Sequence, residues 1–315
     1  MALTLLESAL ASENKREKGI YKIIAETSPV AEIIPWISIG NASALSYKRQ
    51  ATLPGYAFRG VHETWPNSIG TWSEEVDRVV IMGGEVKIDI FQLKTNSSAF
   101  DLKAEQWKMK AQALSLGFTE AFFEGDPTSN PRVFKGLRNR LGTSQTVYAD
   151  GAGSAGAALS LDALDNVLEK VIGDSGKTVF LNKRLRRVIT ALGRNEANGY
   201  SYIDTGNDAF GRQVMKYAGY PLRVTEREDN EATILDFDET VGGGSTNASI
   251  YVIRFGENYV SGIVAGGSGP TVYQVAKEME SEPSNLGRIE WYITTRIKHP
   301  RSAARLAGIT NAFPS

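Results

Sequence analysis

Asp236 and Asp238 stand two residues apart behind a short apolar run, in Ile234-Leu235-Asp236-Phe237-Asp238-Glu239-Thr240-Val241. That spacing suits phosphoryl transfer: one carboxylate attacks phosphorus, the second serves as general acid, and Mg²⁺ bridges both. Such chemistry also calls for a cation beside the transferred group and further carboxylates to hold Mg²⁺. No Gly-Asp-x-x-x-Asp pattern follows, and Glu278, Glu280 and Glu282 beside Lys277 read as a solvated segment. The plainer reading is an acidic turn before Gly242-Gly243-Gly244. That glycine run lacks a Gly-Lys-Ser/Thr ending and no strong helix follows it, so it reads as a turn rather than a phosphate loop. His62 and His299 are the only histidines and stand far apart in the sequence. Each reads as a loop or strand-end hydrogen bonder. Cysteine is absent, which excludes disulfides, Cys-zinc sites and thiol nucleophiles. We therefore expect no enzyme, no metal and no cofactor.

Charge adds a second constraint. The 315 residues carry 35 basic and 36 acidic side chains, a net charge of −1. A surface built throughout to grip nucleic acid or anionic lipid is excluded. Charged residues make up 23% and hydrophobic ones 42%, a globular balance rather than a disordered one. No apolar run approaches the roughly 20 residues of a membrane helix. Met1 to Glu7 carries an early acid and no basic stretch, unlike a signal peptide. Lys183, Arg184, Arg186 and Arg187, with Arg194 beyond, form a basic helix face that reads as an interface pairing with a neighbour's carboxylates. Lys15, Arg16, Lys18 and Lys22 are the residues best placed to meet DNA through non-specific phosphate contacts, although Glu13 and Glu17 offset half of them.

The elements that must position these side chains are α+β, without internal repeats or a regular βαβ series. Residues 2–40 read as short helices with two thin apolar stripes, Leu3, Leu6 and Leu10, then Ile20, Ile23 and Ile24. Ser28-Pro29 starts a further helix that Pro35 stops. This arm cannot form a core alone and must lie on something else. Residues 46–86 are rich in strand formers and turn residues and predict a long hairpin with its tip near 62–70. Each strand would reach roughly 45–50 Å, against a radius of gyration of about 20 Å for a compact chain of this length. Tyr56, Phe58, Trp65 and Trp72 on that hairpin need burial worth about 1.5–3 kcal/mol each, and a free two-stranded hairpin is marginal. Both facts point to burial against a neighbouring subunit. Residues 86–96 alternate as a strand. The longest helix pattern spans 99–124, with cap candidates Asn96-Ser97-Ser98 and apolar positions from Trp107 to Phe122, about 39 Å in all. Gly117 inside it marks a close approach by another backbone. Residues 142–158 are rich in Gly, Ala and Ser and read as a crossing. Then come a helix capped by Ser160 and closed by Gly173, a buried strand at 178–181, the basic helix at 183–192, and strands at 221–224, 250–255, 259–264 and 289–297. Pro300 predicts a closing helix at 301–307.

These elements, in this order, resemble the major capsid protein of tailed bacteriophages, the Hong Kong 97 type. The local wording is similar too. Thr52-Leu53-Pro54-Gly55-Tyr56-Ala57-Phe58-Arg59-Gly60 looks like the first strand of that family's extended loop. Ala121-Phe122-Phe123-Glu124-Gly125-Asp126, Asn130-Pro131 and Phe134-Lys135-Gly136-Leu137 look like the end of its spine helix. Leu181-Asn182-Lys183, Arg186-Arg187 and Ile189 resemble an axial-domain joint, followed by Phe210-Gly211, Val214, Tyr217, Gly219 and Pro221-Leu222. Arg254-Phe255-Gly256, Ile289-Glu290-Trp291-Tyr292 and His299-Pro300-Arg301 resemble the closing segments. The resemblance implies an N-terminal arm at 1–45, an extended hairpin loop at 46–85, a peripheral domain at 86–150 with spine helix 99–124, an axial domain at 151–285 and a return to the peripheral domain at 286–315. It implies a virion protein, assembled in the host cytoplasm, that tiles as hexamers and pentamers into an icosahedral shell around double-stranded DNA. Tyr56, Phe58, Arg59, Glu63, Trp65 and Trp72 become subunit-interface candidates. A separate scaffolding protein and a portal protein are implied partners, a decoration protein is left open, and no membrane is involved. Some relatives join Lys to Asn covalently; Lys48 has no recognisable Asn partner here, so no crosslink is expected. Two alternatives remain: an encapsulin-type compartment, which shares the fold, and a phosphatase using Asp236 and Asp238, because residues 234–241 resemble the opening motif of the haloacid-dehalogenase type, which implies a position just after the first strand of a parallel sheet, with a Lys and a second acidic pair downstream.

Overall fold

The structure, a computed structural model, describes residues 4, 5, 7, 15–95, 102–153, 155–195, 203–207, 211, 213–225, 234–267, 270–276 and 282–312. In chain order they form α1 (Lys15–Thr27), α2 (Pro29–Ile33), β1 (Trp36–Ser38), β2 (Ala44–Thr52), β3 (Thr71–Arg78), β4 (Val80–Asp89), α3 (Ile90–Thr95), α4 (Leu102–Glu124), α5 (Leu137–Arg140), β5 (Thr146–Tyr148), α6 (Leu161–Lys170), β6 (Lys177–Leu181) and α7 (Lys183–Asn195). There follow β7 (Ile203–Asn207), β8 (Gln213–Tyr217), β9 (Tyr220–Val224), β10 (Glu239–Val241), β11 (Gly244–Arg254), β12 (Val260–Val264), β13 (Thr271–Ala276), β14 (Ser284–Ile297) and β15 (Ala303–Thr310).

Helix α4 organises the body. Ala111, Leu114, Phe118 and Phe122 recur at steps of three and four and are buried, which makes one apolar stripe. Ser115 and Thr119 are buried as well and bind the arm. Ser115 Oγ donates to Ile24 O at 2.9 Å, and Ser28 Oγ lies 2.6 Å from Thr119 Oγ1. Ser28 also caps α2, its Oγ accepting the Ala31 amide at 3.1 Å, with Pro29 in the first helical position. One hydroxyl thus starts a helix and docks it. The arm does lie on something else, namely α4. A Cβ on Gly117 would sit 3.1 Å from Met82 Cε, so the close neighbour there is a side chain of β4 rather than a backbone. The cap candidates Asn96-Ser97-Ser98 lie outside the described residues.

Two sheets flank this helix. In the first, β14 is the long central strand, with β4 along one edge and β12 and β13 along the other; β1 runs parallel to β12. The second has the order β5-β15-β11-β6-β9-β8-β7, and β10 forms a hairpin with β11. Alternation divides the second sheet's faces. Val179, Leu181, Ile250 and Val252 pack under α6 and α7, whereas Phe180, Tyr251 and Ile253 face the core around α4. The end of α4 bridges both sheets through aromatic rings. Phe118 lies 5.4 Å from Trp36 and 5.3 Å from Trp291, and Phe123 lies 5.6 Å from Phe180 and 5.1 Å from Tyr251, all between centroids.

Several segments differ from the sequence expectation. Residues 90–95 are helix, not strand: Asp89 Oδ1 accepts the Phe91 amide at 2.7 Å and turns the chain out of β4. Residues 301–307 are not a helix. Pro300–Ser302 makes a single 3₁₀ turn, capped by His299 Nδ1 at 3.1 Å from the Arg301 amide, and Ala303–Thr310 is strand. That strand pairs with β11 on one side and β5 on the other, which satisfies its backbone where a short helix would leave most of it open. The sheets also cut across the expected segments. β12 and β13 fall within 151–285 yet pair in the first sheet, and β15 falls within 286–315 yet lies in the second. Residues 80–85 belong to β4 and the first sheet rather than to the hairpin.

The hairpin proper is β2 paired with β3, from Ala44↔Arg78 to Thr52↔Thr71. A dense polar knot fixes its base to the body. Arg140 grips Asp77 with both terminal nitrogens, Nη2–Oδ1 at 2.7 Å and Nη1–Oδ2 at 2.9 Å, and Nη2 also donates to Thr295 O at 2.9 Å. The Tyr47 hydroxyl donates to Asp77 Oδ2 at 3.0 Å, and Arg49 Nη2 donates to Ile297 O at 3.1 Å. Burial, reinforced by the Asp77 charge, pushes the Tyr47 hydroxyl from 10.0 up to about 12.

Two outcomes follow from these contacts. Phe118→Ala removes a fully buried ring that packs on both Trp36 and Trp291 and lowers subunit stability by about 3–5 kcal/mol, read from the urea midpoint of the unassembled chain. Tyr47 contributes stability that is complete below pH 10 and lost as pH rises through about 12. The melting temperature of the wild type should therefore fall more steeply over that window than that of Tyr47→Phe; equal slopes refute the assignment.

Candidate assembly surface

The projecting hairpin has two faces. Toward the body, Tyr47 and Arg49 reach the base knot. On the other face Gln50 pairs with Trp72, Lys48 with Glu74 and Ser46 with Val76. Lys48 thus sits opposite a carboxylate, and Trp72 and Val76 are open to solvent. From Ala51 to Trp72 every residue except Ala57 and Gly70 is exposed. Tyr56 is 90% exposed, Phe58 95%, Trp65 66% and Trp72 68%. Isolated exposed aromatics are ordinary, but a continuous apolar stretch of this kind marks an interaction surface.

The tip holds its own shape. The Thr52 and Thr71 hydroxyls meet at 2.6 Å, and the Gly55 amide donates to Ser68 Oγ at 2.6 Å. Arg59 Nη1 donates to Glu63 O and the Gly60 amide donates to Glu63 Oε2, both at 2.8 Å. The Arg59 guanidinium stands 5.6 Å from the Trp65 ring centre. Tyr56 and Phe58 meet edge to face at 6.2 Å. The chain reverses at His62, whose φ of 70° lies in the left-handed region. Of the six interface candidates, the structure brings Tyr56 to Phe58, and Arg59, Glu63 and Trp65 to one another. Trp72 stands apart on β3. Arg59 and Glu63 therefore set the shape of the tip. Sequence reasoning passed over Leu53, Val61 and Ile69, which are as exposed as the aromatics, and Ile81 and Phe91 outside the arm. Their signal was present: apolar residues scattered through a turn-rich stretch with no stripe to join.

The remaining candidates lie elsewhere. Lys18 and Lys22 are exposed on α1, and Lys22 Nζ is 3.8 Å from a Glu26 carboxylate oxygen. The side chains of Lys15 and Arg16 lie outside the described residues. On α7, Lys183, Arg186 and Arg187 face solvent while Leu185, Val188 and Ile189 are buried. Asp236 and Asp238 sit on exposed turns ahead of β10, with Asp236 Oδ1 accepting the Phe237 amide at 2.7 Å. The apolar Ile234-Leu235 immediately before them is a turn, with Leu235 at φ 67°, rather than the end of a strand, which is not the setting the phosphatase reading needs. No group of three or more potential metal ligands occurs among the described residues. Glu239, next in sequence, is instead buried against Arg305, Arg138 and Ser249, and burial pushes the nearby Glu124 carboxyl up, with Asp238 adding to it. The Gly242-Gly243 pair is the turn of the β10–β11 hairpin. His299 caps a turn, and burial holds its pKa below the usual value.

The comparisons with known proteins agree with this geometry. The family model of the SU10 major capsid protein matches residues 79–220. No curated protein matches the sequence. Among solved structures, one from Mycobacterium phage Adephagia has a TM-score of 0.64 at 13% identity over 91% of each chain. The capsid of the native GTA particle gives 0.60 at 16% identity, covering 90% of this chain and 91% of that one. The SrpI encapsulin of Synechococcus elongatus gives 0.63 at 15%, covering 91% and 89%. With its projecting hairpin, long central helix and paired sheets, the chain has the Hong Kong 97 fold, and the match to a major capsid protein over residues 79–220 supports a self-assembling shell protein of the tailed-phage type.

Proposed function

We propose that the β2–β3 hairpin is the main clamp between neighbouring copies, and that the arm, residues 2–40, is the second. The observation that carries this reading is the set of exposed apolar side chains between Leu53 and Trp72, at the far end of a ladder whose base is bonded to the body. Each of those side chains gains about 1.5–3 kcal/mol when a neighbour covers it. The partner is another copy meeting a different patch, the heterologous contact that closes hexamers and pentamers. The shell assembles in the host cytoplasm around double-stranded DNA, with a scaffolding protein and a portal protein as further partners. Lys18 and Lys22, together with Lys15 and Arg16, make non-specific contacts to packaged phosphates. The second sheet with α6 and α7 forms the axial region around each capsomer centre.

The encapsulin-type compartment is the second reading, favoured by the TM-score of 0.63 to the SrpI encapsulin. Contents separate the two. Particles purified from a full infection should hold double-stranded DNA; particles that instead hold one folded cargo protein and no genome would reverse the preference.

Phe58→Ser with Trp65→Ser should leave a folded, soluble subunit and lower the yield of shells seen by negative-stain microscopy at least about ten-fold, because two buried anchors outweigh 1.4 kcal/mol. Unchanged yield from that variant contradicts the clamp.

A further inference from the structure

Helices α6 and α7 lie on the same face of the second sheet, under one apolar cluster. They sit on different parts of it: α6 packs on β15 and β5, whereas α7 packs on β9, with β11 and β6 between. Their solvent faces carry opposite charge. On α6, Asp162, Asp165 and Glu169 are exposed at steps of three and four. On α7, Lys183, Arg186 and Arg187 are exposed, the two arginines three and four residues after the lysine. Three exposed acids therefore ride on one helix and three exposed bases on the other, within a chain whose net charge is only −1.

A ring of identical copies closes only if each presents two different, mutually complementary patches on two sides. A segregated pair of helices is such an arrangement, and like-charge contacts penalise the wrong pairing of α6 with α6 or α7 with α7. We propose that, around each capsomer axis, the basic face of α7 of one copy docks on the acidic face of α6 of the next. The occupant of the α7 face is thus a second copy of this chain, chosen by charge complementarity. The proposal rests on the capsid reading and adds to it a second contact, separate from the hairpin. Asp165 has a duty already, since its Oδ1 accepts the Tyr217 hydroxyl at 2.9 Å. Asp162 and Glu169 are therefore the residues to vary. The contact is electrostatic and near the surface, so it sets register and partner choice and weakens with salt.

The test uses the full chain. Arg186→Glu with Arg187→Glu should lower the yield of closed shells at least about ten-fold in sedimentation and negative-stain microscopy. Asp162→Lys with Glu169→Lys should do the same. Both variants keep the melting temperature of the wild-type subunit, because all four sites are exposed. Combining all four substitutions exchanges the signs and should restore shells. If either double variant assembles like the wild type, or the fourfold exchange fails to rescue, the contact is overturned while the hairpin clamp stands. If reversing α7 removes only packaged nucleic acid and leaves the shell intact, the face serves DNA and the proposal is likewise overturned. A wild-type chain that never leaves the monomer overturns the shell reading, and this contact falls with it.

Discussion

Arg140 holds Asp77 through both terminal nitrogens at the foot of the hairpin, where neither side chain sees much water. An ion pair taken out of water recovers its desolvation cost only when its remaining donors and acceptors are matched as well. Here they are: Thr295 O, Lys135 O and the Tyr47 hydroxyl complete the set. Apolar side chains would hold the base as firmly. They would not fix its direction, whereas a planar bidentate pair does. The arm is long relative to its foothold, so a small rotation at the base becomes a large displacement at Phe58. The usefulness of every exposed side chain beyond Thr52 depends on this one orientation.

Beyond the base the arm has little to stabilise it. A two-stranded ladder is marginal in water, and between Thr52 and Thr71 even the ladder is absent. The tip instead uses short local bonds, the Glu63 carboxylate on the Gly60 amide and the Ser68 hydroxyl on the Gly55 amide. These do not bury apolar surface. They limit the number of conformations the tip samples, so less entropy is lost when a neighbour covers it. Order without burial is the expected state of a surface whose core is supplied by another molecule.

The sequence revealed those parts of the fold whose causes are local. The stripe on α4, the Ser28-Pro29 start, the Ser160 cap on α6 and the fully buried β6 all come from residues within a few positions of one another. The exposed aromatics of the hairpin were legible for the same reason: the stretch has strand formers and no apolar stripe to receive them. What escaped came from distant partners. Ala303–Thr310 has the composition of a short helix, and only β11 and β5 on its two sides make it a strand. The knot at the base joins residues 47, 77, 140 and 295, and no pattern in one segment announces it. The paired aspartates at 236 and 238 misled in the opposite sense: their spacing is local, but the chemistry it suggests requires the apolar residues before them to end a strand, and Ile234 and Leu235 form a turn.

Helix α4 explains how two weak surfaces can act as one. Its Phe118 packs on Trp36 and Trp291 of the first sheet, and its Phe123 packs on Phe180 and Tyr251 of the second. Cores packed at this density do not deform gradually; they keep their spacing or rearrange outright. The β2–β3 hairpin, which is rooted beside β14, and the charged helices on the second sheet are thus held at a fixed separation. In the proposed assembly, a neighbour that satisfies one contact meets the other already in place, at high effective concentration. Each contact alone is weak enough to break, so a misplaced copy can leave. Under that proposal both together hold only when the neighbour arrives at the angle the body dictates, and that angle, repeated, sets the curvature of the shell.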